Sequence, residues 1–556
     1  MNILFEFSTF LASFDIKKKM GATFSSTKQK SVDFERHLLG YKTAAISLPP
    51  ECLREVFEYL DKGSLYSSLL VNRSWCKVVV PLLWRSPFRT VNGPSLETAK
   101  VIQTYLTCLC EKSKAYLVSN GVILPPSTTK GPAIFDYPSF LRELKFVELY
   151  SAVSDWLATE PNESNNIYDE QQLRVLIAEQ LFKLFMNRCP TFEILSLSDL
   201  SHEAPMPLVP LLAGSGADAC LTGLKAFHCV SKHGGKRDIF HVMSQVSETL
   251  ETMWVGGVEQ EMEVKALSVF IRAQKRLKAF KYSWDYQTRL QIILIGTLDA
   301  LKTQANTLTT LHFEYCNFAH CDSLEPLAVC ENLEIIQFIQ CIYLAEKMRP
   351  LAKVFFPRLK TLGFYCNFLD SARYWIDPSD IAAIVKNSHK SLEHVVLPRV
   401  GNYEEGSQTL IKALRHCINI IDLRLQIRQG ETKDFMEFFN NNNRLEITTF
   451  ICHGDLNVEE LLTQMTRRWP NTLSTLNIKG QWMITPESLK TFLKDSKSCL
   501  KHLDLHSSNH LTDDHVAAVI EYLKEMKAAK KPHLCSIFMS GDRITEKRGF
   551  NLNPWI

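Results

Sequence analysis

An apolar phrase, Leu-x-x-Leu-x-Leu with apolar substitutes, returns thirteen times along this chain, and that recurrence restricts the possible folds more than any other feature. It begins at Phe192, Leu224, Leu250, Leu277, Leu308, Leu333, Leu359, Leu392, Ile420, Leu445, Leu473, Leu500 and Leu534, a mean spacing of 28.5 residues. Its fourth and sixth positions are two apart, so on a strand they share one face, while the first anchors the strand's entry. Between phrases the apolar residues take helical spacing, as at Val516, Val519, Ile520 and Leu523. One strand with one returning helix cannot bury its apolar face alone, but copies stacked side by side share a continuous core. The segments MITPESLKTFL and HLTDDHVAAVI stand 27 residues apart, as do Leu473 and Leu500, so two independent landmarks repeat together. Leu141-x-x-Leu144-x-Phe146 reads as an earlier unit, set off by the polar insertion TEPNESNNIYDEQQ.

Cys316 and Cys341 hold the ninth position of their units, and Asn367, preceded by Cys366, holds it in the unit starting at Leu359. The array therefore resembles the cysteine-containing class of leucine-rich repeats. The resemblance implies an α/β leucine-rich-repeat solenoid, with a curved parallel sheet of about thirteen strands inside and helices outside. The expected organisation is a flexible tail over 1–42, a small all-α module over 43–90, a helical and Pro/Gly-rich connector over 91–140, and the repeat domain over 141–556.

The module is legible by itself. In ISLPPECLREVFEYLDKGSLYSSLLVNRSWCKVVVPLLW, Pro49 and Pro50 suit a helix start. Leu53, Val56, Phe57 and Leu60 fall on one face of the helix that follows. Asp61-Lys62-Gly63-Ser64 makes a turn, with Ser64 expected to cap a second helix carrying Leu65, Leu69 and Leu70. Trp75, Val78, Val79, Leu82 and Leu83 supply a third apolar face. A bundle of about 40 residues cannot bury so many large side chains alone, which points to a partner surface.

Leu48-Pro49-x-Glu51, Val56-Phe57, Leu60, Asp61, Leu65, Val71, Trp75 and Leu82 with Leu83-Trp84-Arg85 stand in the order and spacing of the F-box. The segment resembles that module, through which receptor subunits join cullin-based SCF ubiquitin ligases. It lacks the Cys that usually precedes the family's Arg-x-Trp, keeping Val71, Arg73 and Trp75. The resemblance implies an adaptor-binding set of Leu48, Pro49, Glu51, Leu53, Val56, Phe57, Leu60, Leu65, Val71, Trp75, Leu82 and Trp84, facing a Skp-type adaptor and, through it, a cullin scaffold. Each of these either meets the adaptor or fills the module's own core, Leu60 and Val71 being the first candidates for the core.

Composition excludes several alternatives. Lys+Arg number 63 against 60 Asp+Glu in 556 residues, a net charge of +3, so no global basic field suggests nucleic-acid binding. No run of eighteen apolar residues offers a membrane span. Residues 1–16 are apolar, but Glu6 and Asp15 interrupt them and Lys17–Lys19 follow, so they do not read as a secretory signal. The 16 scattered cysteines then read as reduced thiols of an intracellular chain in cytoplasm, nucleus or both, and the sequon-like Asn72 and Asn162 carry little weight. Were translation to begin at Met20, Gly21 and Ser25 would fit a myristoylation pattern. An internal Met-Gly is the plainer reading.

Neither a metal site nor a cofactor site emerges. His202-Glu203 lacks the second His of a zinc protease, and Cys108-x-Cys110 lacks a knuckle's two-residue gap. His312, Cys316, His320 and Cys321 could be drawn as ligands, but Cys316 already has a repeat position and His312 an outward strand position. His233-Gly234-Gly235-Lys236-Arg237 reads as a solvated loop. The expectation is a non-catalytic receptor subunit, with a ligase-independent repeat scaffold as the alternative and a repeat-based GTPase activator third. Target binding is expected on the concave face, at positions flanking the buried fourth and sixth: Trp254, Lys281, His312, Glu314, Gln337, Tyr365, His394, Arg424, Lys479, Asp504 and His506. Trp254 leads that set, because an outward indole needs a partner or a neighbouring loop to bury its ring.

Overall fold

The computed structural model describes residues 48–88, 96–124, 134–159, 170–197, 208–230, 235–258, 260–283, 295–366, 376–399, 404–496, 500–507, 510–528, 536–540 and 549–551. The amino-terminal tail with Met20 and Gly21, and the segments holding Asn162, His202, His233 and Asn367, lie outside them. Two compact units divide between Leu83 and Trp84.

The first unit contains α1 (Pro50–Glu58), α2 (Lys62–Leu69) and α3 (Arg73–Leu83). Pro50 occupies the first turn of α1, where its missing N–H leaves no bond unmade. The cap of α2 differs from expectation. Asp61, not Ser64, is the N-cap: its carboxylate accepts from the Ser64 N–H at 2.9 Å and from the Ser64 hydroxyl at 3.0 Å. The helix thus starts earlier, and the hydrogen bonds from Ser64 hold the Asp61 carboxyl below its usual range. Asn72 does the same work before α3, its side-chain oxygen accepting from the Trp75 N–H at 2.9 Å.

In the second unit, fifteen strands form one sheet in strict chain order. They are β1 (Glu143–Lys145), β2 (Ile194–Ser196), β3 (Ala226–Val230), β4 (Thr252–Gly256), β5 (Ala279–Ser283), β6 (Thr310–Glu314), β7 (Ile335–Ile339) and β8 (Thr361–Tyr365). Next come β9 (His394–Val396), β10 (Asp422–Ile427), β11 (Ile447–Asn457), β12 (Thr475–Met483), β13 (His502–Ser507), β14 (Ser536–Ser540) and β15 (Gly549–Asn551). Every strand from β2 to β14 starts two residues after the first residue of one of the thirteen phrases, and β1 starts two residues after Leu141. Neighbours pair in parallel, except that β15 runs antiparallel to β14. This is the architecture of a leucine-rich-repeat array.

Burial explains the phrase. In the unit of Leu308, that residue, Leu311 and Phe313 are all buried, while Thr310, His312 and Glu314 between them are half-exposed. Register aligns each position with its counterpart, so Leu311 meets Ile336, then Leu362, Val395 and Leu423. Thr448 interrupts this column: it is fully buried and its hydroxyl has no hydrogen-bond partner. Thr448→Val is therefore expected to raise stability by about 1 kcal/mol in urea unfolding, since it removes an orphaned polar atom at equal shape.

The ninth-position cysteines tie one unit to the previous one. The Cys316 thiol donates to the Tyr282 carbonyl at 3.7 Å, and Cys341 donates to the Phe313 carbonyl at 3.3 Å. Each acceptor is the sixth residue of the preceding unit. Tyr315 and Gln340, at φ 56° and 51°, turn the chain in the left-handed region so that the thiol points inward.

Two features depart from a uniform array. Between β6 and β7 the return is only a 3-10 turn, Glu325–Leu327, and between β7 and β8 only the four-residue helix Arg349–Ala352, whereas units of the same length elsewhere carry full outer helices, such as Lys236–Val246 and Thr432–Asn441. Within the stretch expected as a connector, helices Leu96–Thr107 and Glu111–Ser119 share the core of the second unit through Ile102, Tyr105, Leu106 and Leu117. The Thr98 hydroxyl meets Asp155 at 2.6 Å, and the Tyr105 ring lies 4.8 Å from Phe185.

Candidate functional site

The three-helix unit sorts the sequence-derived set by exposure. Leu53, Phe57 and Leu65 are buried with Leu69, Val79 and Val80, and the Phe57 ring meets Trp75 edge-on at 4.9 Å. Phe57, at 2% exposure, is thus a core residue of the module. Val71, expected among the core-fillers, is 56% exposed, and Leu60 is half-buried. Leu48 and Val56 are exposed at 49% and 53%. Pro49 and Glu51 face solvent, and Trp75 and Leu82 are half-buried. Trp84 belongs to the second unit, its ring 5.2 Å from Tyr105 and 4.2 Å from Tyr137.

Two further residues stand out that the sequence set did not include. Tyr59 is 91% exposed and Leu70 59%. Of seventeen exposed large apolar side chains among the described residues, five (Leu48, Val56, Tyr59, Leu70 and Val71) fall within 24 residues. The remaining twelve are spread over residues 116–538, so exposed apolar side chains are densest along this short stretch.

The sheet's uncovered face carries the other candidates. Parallel register sets His228, Trp254, Lys281, His312 and Gln337 in one row across β3–β7. The Trp254 indole already has partners: its Nε1–H donates to the Ser283 hydroxyl at 2.9 Å, the Lys281 ammonium lies 4.1 Å from its ring centroid, and His228 meets it edge-on at 5.5 Å. Lys281 also pairs with Glu314 at 3.3 Å, and His312 places Nδ1 3.0 Å from the Gln337 side-chain oxygen. Five expected residues therefore form one connected cluster. Farther along, Lys479 pairs with Asp504 at 3.2 Å, while His394 and His506 are exposed. Tyr365 and Arg424 lie between these groups, on β8 and β10.

Burial holds the His312 imidazole below its ordinary pKa, with the Lys281 charge adding to the effect and the Gln337 and Glu314 side chains opposing it. His228 is lowered by burial and by Lys145 and Lys281. Below about pH 6.5 the unfolded chain binds protons that these folded imidazoles refuse, so stability falls as pH drops through that window. His312→Gln is expected to lessen the fall in urea midpoint between about pH 7 and pH 5.5 relative to wild type. An equal fall in both proteins would contradict this assignment.

Residues 45–90 match the F-box-like family profile. Those residues are an F-box-like domain. No curated protein is significantly similar in sequence to the chain. A solved chain from the TLR13–ssRNA13 complex superposes with a TM-score of 0.36 at 11% identity, covering 60% of this chain and 41% of that one, a likeness too distant to carry an inference. In the F-box-like domain the helical period pointed to the face holding Leu53, Val56, Phe57 and Leu60, but only packing against α3 separates buried Phe57 from exposed Val56. Tyr59 lies off that apolar face, and Leu70, expected on the second helix with Leu65 and Leu69, comes just after its last residue, Leu69. Among the described residues no group of three potential metal ligands converges, and no helix is long and apolar enough to cross a membrane.

Proposed function

We propose that this chain is a target-recognition subunit of an SCF-type ubiquitin ligase, working without chemistry of its own. Leu48, Val56, Tyr59, Leu70 and Val71 on the F-box-like domain would dock a Skp-type adaptor and, through it, a cullin scaffold. The observation that carries the reading is their joint exposure on a module whose own core is already filled by Leu53, Phe57 and Leu65. The repeat sheet offers a separate polar face with mixed charges, suited to a protein target. Holding a target lysine near a charged conjugating enzyme raises its effective concentration, and that proximity is the whole contribution of such a subunit. Its place would be the cytoplasm, the nucleus or both.

The experiment is reconstitution of the full chain with Skp adaptor, cullin, RING subunit and conjugating enzyme, loaded with proteins captured from cells on the repeat array. Ubiquitin conjugation of the captured proteins, lost when residues 45–90 are removed, is the expected result. Adaptor binding without conjugation of any captured protein would instead make the chain a scaffold.

A further inference from the structure

Among the described residues of the helices that follow β3 to β13, large apolar side chains face solvent on one helix alone. It is the return after β4, Glu261–Ala273, with Met262 at 48% and Val269 at 51% exposure. The helix does not need these two for its own burial, because Val264, Leu267, Phe270 and Ile271 already fill its inner side. Its neighbours are also in place. Phe270 stacks on Phe240 of the helix Lys236–Val246 at 6.3 Å, and a Cβ on Gly296 of the helix Ile295–Lys302 would lie 3.5 Å from Val264. Neither neighbour covers Met262 or Val269.

Spacing turns the exposed pair into a seam. Met262, Ala266, Val269 and Ala273 step by four, three and four residues, the interval at which one helix meets another along a line. Ala266 and Ala273 are half-buried and small, so a ridge alternates with a notch. That alternation is complementary to itself when a copy runs antiparallel. A two-fold axis midway between Leu267 and Ser268 sets Met262 opposite Ala273 of the second copy, and Ala266 opposite its Val269. Every large side chain then meets a small one, whereas a parallel pair in register would set Met262 against Met262.

Charge agrees with the same arrangement. Lys265 holds Glu261 at 2.7 Å beside the seam, and Arg272 on that side is exposed with no carboxylate partner among the described residues. In the antiparallel pair Arg272 falls level with the gap between Lys265 and Glu261 of the copy, next to the carboxylate it lacks in the single chain.

We infer that the helix Glu261–Ala273 is a self-association surface on which a second copy of this chain seats antiparallel. Its thirteen residues bury less than the ~1,200 Å² of a standard stable interface, so the pair is reversible, with a dissociation constant on the order of ten micromolar. The dimer carries two sheet faces, which would hold a target with two sites by avidity. The inference goes beyond the ligase reading and does not depend on the adaptor.

Sedimentation equilibrium of the purified full chain from about 1 to 100 μM should show a monomer–dimer equilibrium. Met262→Glu with Val269→Glu should weaken association about thirtyfold or more at an unchanged unfolding midpoint, since both side chains are exposed in the monomer. Ala266→Leu adds apolar surface but fills the notch that receives Val269, so it should loosen the dimer where unspecific stickiness would tighten it. Glu261→Arg and Arg272→Glu should each weaken association about threefold, and the double variant, which exchanges the two charges, should restore it. Val56→Asp with Val71→Asp removes the exposed apolar set of the F-box-like domain and should dimerise as wild type does. A monomer at the highest concentration, an undiminished dimer in the Met262/Val269 variant, or a dimer lost in the Val56/Val71 variant would overturn the surface. A tighter dimer in Ala266→Leu, or a double charge variant no better than the single ones, would overturn the antiparallel seam. Adaptor capture by the same preparations is measured in parallel, so loss of the ligase reading and loss of the dimer remain separate outcomes.

Discussion

Val56→Asp combined with Val71→Asp is expected to cut Skp adaptor affinity more than a hundredfold while leaving the F-box-like domain folded. Both side chains are more than half exposed in the free chain, so a carboxylate there costs nothing until a partner covers it. Covered, each unpaired charge costs several kcal/mol, and about 3 kcal/mol already exceeds a hundredfold. Phe57→Ala is a different experiment. Phe57 is buried against Trp75, and its loss opens a cavity worth about 3–5 kcal/mol in a small bundle, so reduced capture would follow from unfolding. Titration calorimetry of both variants, paired with thermal unfolding of the isolated signal from the module, distinguishes the two causes. Wild-type affinity in the double Asp variant would remove this surface from the account.

The second large effect lies in the repeats that have no long outer helix. There the sixth-position rings of successive units stack: Phe313 on Phe338 at 5.7 Å and 13°, and Phe338 on Phe364 at 5.5 Å and 11°. Phe318 closes on Phe338 edge-on at 6.0 Å. Phe338→Ala removes the middle of this column and is expected to cost about 3–5 kcal/mol in urea unfolding. Because each unit contacts only its neighbours, the same change should uncouple the two halves of the array and split one unfolding transition into two. Phe338→Leu, which keeps most of the volume, should preserve a single transition. A single, unshifted transition in the Ala variant would mean that the column does not couple the units.

The strands were legible because two constraints coincide in each phrase: an apolar first residue such as Leu308, and an inward pair such as Leu311 and Phe313. β15 was not legible, since Gly549-Phe550-Asn551 repeats nothing and its partner is chosen by where the chain turns back. The short returns after β6 and β7 were not legible from unit length, because equally long units carry full outer helices, Lys236–Val246 and Thr432–Asn441. On the sheet face, alternation gave the outward positions correctly. The contacts of Trp254 with Lys281 and Ser283 depend on lateral register across 27 to 29 residues, which a single phrase does not reveal.

Amide hydrogen exchange of the full chain, with and without purified Skp adaptor, tests the central claim most directly. The account predicts slowed exchange confined to residues 48–83, strongest around Val56–Tyr59 and Leu70–Val71, with the strands from β3 to β14 unchanged and free for a target. Protection that falls on the sheet face instead, with none over residues 48–83, would contradict it.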